Sequence, residues 1–191
     1  MGLIKTRGIC QGGHIRYERF HDKKLLEKLN IDYVLVGLNA AKHDGTYKGE
    51  PWKAFHSDDK KRQNDYKLRH ALYGTNLWGA YLTDVIKGLI CTSSDKVIQA
   101  LKNDPDEYKK QISSFKEELD ILRGGLNGRD PVVIAMGNNA FRILDQNKAA
   151  LGLGKILKIS HYSDWNHGCG NKDYYRAKIH KELNGIISDN A

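Results

Sequence analysis

Four apolar runs, each bounded by polar residues, set the rhythm of the chain. Tyr33-Val34-Leu35-Val36-Gly37-Leu38 is continuous and rich in β-branched residues. That pattern predicts a strand covered on both faces, as in a parallel sheet. Ala80 to Ile86 and Pro131 to Gly137 read as further strands, and Lys155 to Ser160 as a fourth, shorter one. Segments of helical spacing stand between and around them. Asp22 to Leu29 carries Leu25, Leu26 and Leu29, residues 58 to 72 are strongly charged, and 95 to 123 hold two helices broken near Asn103-Asp104-Pro105. Gly124-Gly125 and Asn127-Gly128 end the second of these, and Asn138 is placed to cap the helix after the third strand. Residues 171 to 187 close the chain with Tyr175, Ile179, Leu183 and Ile187 on one stripe. Alternating strands and helices predict an α/β fold: a three-layer α/β/α sandwich around a short, mostly parallel four-stranded sheet.

The chain of 191 residues fits a single domain, with residues 1 to 22, rich in Gly, Arg and His, as a basic N-terminal arm or irregular lead-in. Its length lets it bury a core without disulfides or metal. Lys and Arg number 31 against 23 Asp and Glu, a net charge of +8. Such an excess favours polyanionic partners, nucleic acid first. No apolar run approaches the roughly 20 residues of a membrane span, and no secretory leader is expected from the polar start. Cys10, Cys91 and Cys169 stand far apart with no C-x-x-C, which speaks against zinc or an iron–sulfur cluster and for reduced thiols in a cytoplasmic protein.

In a parallel sheet, ligands sit at the carboxyl ends of the strands, so the residues just beyond each strand carry the chemistry. Gly37-Leu38-Asn39 ends the first strand, with a glycine where the backbone turns and an amide that positions a water without deprotonating it. Asp84 lies near the end of the second, and His161 follows the last, where a neutral imidazole donates to a developing oxyanion. Two aromatics, Trp52 and Phe55, follow Gly49-Glu50-Pro51 and offer faces on which a base stacks. Trp165 beside His161 suits a wedge or platform. Singly, each has a plainer role: Asn39 closing an Asx-turn, Trp165 anchoring its loop, the other aromatics packing in the core.

Taken together and in order, these segments resemble the uracil-DNA glycosylase superfamily. Gly37-Leu38-Asn39-Ala40 is similar to its first motif in the Asn-bearing branches. Gly49-Glu50-Pro51-Trp52 resembles the Gly-x-Pro-aromatic segment of the thermostable branch, and Thr83-Asp84-Val85-Ile86-Lys87 its Thr-Asn-Val-Val-Lys strand end. Val132 to Ala140 resembles the apolar strand, glycine and helix, and His161-Tyr162-Ser163 the His-Pro-Ser motif. Trp165 falls where that loop carries its wedge, and Asn166 follows as in the single-strand-selective branch. The order holds over residues 32 to 187. Ala40 and Tyr162 replace prolines, Asp84 replaces the uracil-reading Asn, and the four cluster cysteines of the thermostable branch are missing.

The resemblance implies a single uracil-DNA glycosylase-like domain, a DNA-repair hydrolase cleaving the N-glycosidic bond of a damaged or deaminated base. Asn39 and His161 would be catalytic: Asn39 orients water, and His161 stabilises the departing base anion. Asp84, Trp52, Phe55 and Gly37 would hold the flipped base. Ser163, Trp165, Asn166, Lys42 and Lys53, with Arg62, would meet the DNA strand. An ionised Asp84 accepts only, so it suits a base edge with two donors, such as guanine. No metal or cofactor is required, and the expected protein is a cytoplasmic monomer that binds DNA and no membrane. Two other readings stay open: a non-catalytic nucleic-acid-binding protein of the same fold, and a hydrolase of small nucleosides.

Overall fold

A computed structural model describes residues 9–11, 14–16, 30–39, 64–87, 89, 91–163 and 171–189. The expected helix at 22–29, residues 58–63 of the next, and the site residues Trp52, Phe55, Lys42, Lys53, Arg62, Trp165 and Asn166 lie outside them. Within the expected lead-in, β1 (Ile9–Gln11) and β2 (His14–Arg16) form a short antiparallel ribbon.

The main sheet has four strands in the order β4-β3-β5-β6: β3 (Asn30–Asn39), β4 (Ala80–Ile86), β5 (Val132–Met136) and β6 (Ile156–Ile159). Every neighbouring pair is parallel. The helices are α1 (Asp65–Leu72), α2 (Ser94–Asn103), α3 (Pro105–Gly125), α4 (Asn138–Gln146) and α5 (Lys172–Glu182). Alternation along the strands divides the core. Val34, Val36, Leu38, Tyr81, Val85, Val133 and Ala135 face α2, α3 and α4. Leu35, Ala80, Leu82, Ile134, Met136 and Ile159 face α1 and α5. The molecule is thus the three-layer α/β/α sandwich that strands apolar on both faces require.

The chirality of the crossovers explains which helix lies where. The path from β3 to β4 moves one way across the sheet, and those from β4 to β5 and β5 to β6 move the other way. Right-handed connections in opposite directions must cross opposite faces. Accordingly α1 covers one face, while α2, α3 and α4 cover the other. The direction reverses between β3 and β5, and a crevice at the carboxyl ends of that pair is the expected ligand position in such a sheet.

Local chemistry sets the element ends. The Ser93 side chain accepts from the Lys96 amide and opens α2, and the Asp104 side chain accepts from the Glu107 amide, with Pro105 as the first residue of α3. Gly124 and Gly125 lie inside the last turn of α3, so Asn127 (φ 54°) and Gly128 (φ 82°) make the stop. Asn138 does not cap α4. It is the first helical residue, Gly137 holds the preceding position without a side-chain cap, and Asn138 Oδ1 accepts from Lys158 Nζ instead (3.1 Å). The closing helix is shorter than its apolar stripe. Asn171 caps it, it ends at Glu182, and Leu183 is buried just beyond.

Candidate functional site

The four parallel strands deliver their carboxyl ends to one edge of the sheet, and Asn39, Asp84 and His161 stand there with Gly37. Asp84 pairs in register with Gly37, and Val36 with Ala135, which sets Gly37 beside Met136. Gly37 is buried, and a Cβ there would lie 2.5 Å from Asp84 Oδ1 and 3.6 Å from Met136 Cε. Any side chain at 37 would therefore drive the carboxylate out of its place. Gly137 plays the matching part on β5. Its φ of 90° makes the turn into α4, and a Cβ there would lie 3.3 Å from His161 Cβ. Two side-chain-free positions on adjacent strands thus separate Asp84 from His161.

Two contacts hold the His161 ring. Its ring stacks on Tyr162, with centroids 4.4 Å apart and planes 25° apart. Its Nδ1 accepts the Ser163 backbone N–H at 3.1 Å, which assigns the proton of the neutral ring to Nε2. Part of the residue meets solvent, but its surroundings are crowded enough that burial pushes the imidazole below its ordinary pKa. The Asp84 carboxylate acts in the opposite direction and is the smaller influence. The ring is accordingly a neutral donor at neutral pH. The backbone N–H of Ser163, a residue expected to meet the DNA strand, is thus engaged with His161.

Asn39 is oriented by a loop that carries no recognisable motif. Its Nδ2 donates to the carbonyls of Leu89 (3.1 Å) and Cys91 (2.9 Å) in the segment after β4. Both amide hydrogens are so directed, and the side chain has no capacity to take a proton.

A polar cluster behind the site has no counterpart in the motif reading. Lys87 and Glu118 form an ion pair with Nζ 2.5 Å from Oε2, and their side chains are only 6% and 1% exposed. The other carboxylate oxygen of Glu118 accepts from the Tyr81 hydroxyl and from Thr83 Oγ1 (2.8 Å). Lys87 also donates to Thr83 Oγ1 (2.7 Å) and to the Asp84 carbonyl (3.0 Å), and its backbone N–H reaches Gln111 Oε1 (2.8 Å). Tyr81, Thr83 and Lys87 come from β4 and the segment just after it, Gln111 and Glu118 from α3, so the cluster pins the strand end that presents Asp84. A signal for it stood in the sequence: Glu118 interrupts the apolar stripe Phe115, Leu119, Leu122 of α3.

Among the described residues no group of His, Cys, Asp or Glu is arranged to hold a metal ion, and no helix is long and apolar enough to cross a membrane. No family model, curated protein or solved structure matches the chain.

Proposed function

We infer that the chain is a nucleic-acid N-glycosidic hydrolase, releasing a damaged or deaminated base from DNA. The observation that carries this reading is the state of His161: neutral through burial, with Nδ1 engaged by the Ser163 amide and its proton on Nε2. A departing base anion requires such a donor, worth about 3–4 kcal/mol in the transition state. Asn39 would hold the attacking water. The bond between the anomeric carbon and the base nitrogen breaks with its electron pair leaving on the base. The water oxygen bonds to the sugar, and its proton passes to solvent or base. Asp84, facing Gly37, reads the base edge as an acceptor, which favours an edge with two donors. Trp52 or Phe55 stacks on the extruded base, and Trp165, Asn166, Lys42, Lys53 and Ser163 contact the strand.

The test is incubation with oligonucleotides carrying uracil, hypoxanthine, xanthine or mismatched bases, followed by alkaline cleavage of abasic sites. Strand breaks on at least one substrate that vanish in Asn39→Ala support the reading. None on any substrate at high enzyme removes it. Uracil release gained by Asp84→Asn would show that selectivity resides at residue 84. The carboxylate at that position also favours a second reading, a nucleic-acid-binding protein of this fold without catalysis. That protein would bind DNA in a salt-dependent manner and lose nothing in Asn39→Ala.

A further inference from the structure

A second surface of distinctive chemistry lies on the α1/α5 layer. Among the described residues three large apolar side chains are exposed: Tyr66 (43%), Tyr73 (67%) and Tyr174 (52%). All three stand on α1 or α5 or directly at an end. The opposite side of α1 buries Leu68, Ala71 and Leu72 in the core, which leaves the outward tyrosine rings at the surface, that of Tyr66 with Lys67 Nζ 5.9 Å from its centroid. Tyr66 and Tyr73 line a groove of about 360 Å³ together with Arg69, His70, Trp78 and Lys172. Tyr73 meets Trp78 edge to face at 5.3 Å, which holds its ring in place although most of the residue is open to solvent. No carboxylate lines the groove among the described residues. His70 is engaged by Asp173 at 2.8 Å, whereas Arg69 and Lys172 make no ion pair among the described residues.

Rigid aromatic faces interleaved with unpaired cations are what a nucleic-acid strand recognises: bases stack, and phosphates release their counterions to Arg and Lys. Tyr66 and Tyr73 are seven residues apart, about 10 Å along the helix, the span of about three stacked nucleotides. The groove starts at Trp78, two residues before β4, and reaches Lys172, where α5 begins after β6 has ended. We propose that this groove binds single-stranded nucleic acid, with bases on Tyr66 and Tyr73 and phosphates on Arg69 and Lys172. The assignment goes beyond base excision and stands on the groove's own chemistry.

The experiment measures fluorescence anisotropy of a labelled thymidine homopolymer of about 20 nucleotides, over roughly 50 to 200 mM salt. The full-length protein is compared with Tyr66→Ser/Tyr73→Ser and Arg69→Ala/Lys172→Ala, after thermal melts show both variants folded. Affinity is expected to fall about tenfold or more in each, and the charge variant should also flatten the salt slope by about 1.4, two phosphate contacts on a single strand. Wild-type affinity in both variants overturns the proposal. So does competition by polyglutamate at the groove with no effect of the homopolymer. Self-association of the wild type that disappears in the tyrosine variant, with strand binding unchanged, would assign the groove to a second copy and overturn it too. Base excision is read separately: groove-dependent binding without excision of any base supports the groove and removes only the glycosylase reading.

Discussion

Gly37→Ala probes the contact on which the edge of the sheet is built. An added Cβ would lie 2.5 Å from Asp84 Oδ1, and 3.4 Å is the near limit of ordinary contact. The carboxylate must withdraw by about 0.9 Å or the two strands must part. Asp84 is only 3% exposed and sits in a strand buried along its whole length, so neither adjustment is free. Overpacking of this kind costs about 1–3 kcal/mol, and each kcal/mol lowers the melting temperature by about 2–4 °C in a chain of this size. The assay is urea unfolding of four proteins: wild type, Gly37→Ala, Asp84→Ser and the double variant. If the carboxylate is the obstacle, Gly37→Ala costs far less in the Asp84→Ser background, a coupling of at least about 1 kcal/mol. Additive costs within about 0.5 kcal/mol would refute the reasoning, because the penalty would then arise elsewhere.

Other consequences follow from the same geometry. Lys87→Met leaves the Glu118 carboxylate buried without its cation and should destabilise by about 3–5 kcal/mol in chemical denaturation, whereas exposed Lys116→Met should cost under about 1 kcal/mol. The folded His161 takes up a proton less readily than the unfolded chain, so its contribution to stability is present above about pH 6.5 and is lost as pH falls toward the folded value. An NMR titration should show the lowered pKa, Asp84→Asn should lower it further by removing the opposing charge, and His161→Gln should flatten this part of the stability profile. Asn39→Ala leaves the Leu89 and Cys91 carbonyls without their donor, which should cost about 1–3 kcal/mol and speed amide exchange across residues 89–93. Asn39→Asp should cost more than Asn39→Ala, because a carboxylate would face two carbonyl oxygens at about 3 Å.

Periodicity along the chain was sufficient for the layers. Continuous apolar runs such as Val34 to Leu38 are stable only when covered on both faces, and β-branched residues between polar loops place their ends within a few residues. The parallel sense of the sheet follows from helices intervening between strands, and it brings Asn39, Asp84 and His161 to a common edge without any contact being known in advance. Asn138 shows where local reasoning stops: its residue type suits a cap, yet Lys158 on the neighbouring strand claims its oxygen. Which atom a polar side chain satisfies depends on partners far away in sequence. The amide of Asn39 is set by carbonyls 50 and 52 residues on, and the Glu118 carboxylate by Tyr81, Thr83 and Lys87. The stripe of α3 marks Glu118 as buried without naming its partners, and nothing periodic marks those of Asn39, because a hydrogen bond needs one atom at one distance whereas burial needs only an average over a face. Hydrophobic pattern is a property of segments and survives in one dimension; the tautomer of His161, the need for glycine at 37 and the open tyrosines of α1 are properties of juxtaposition and exist only once the chain has closed on itself.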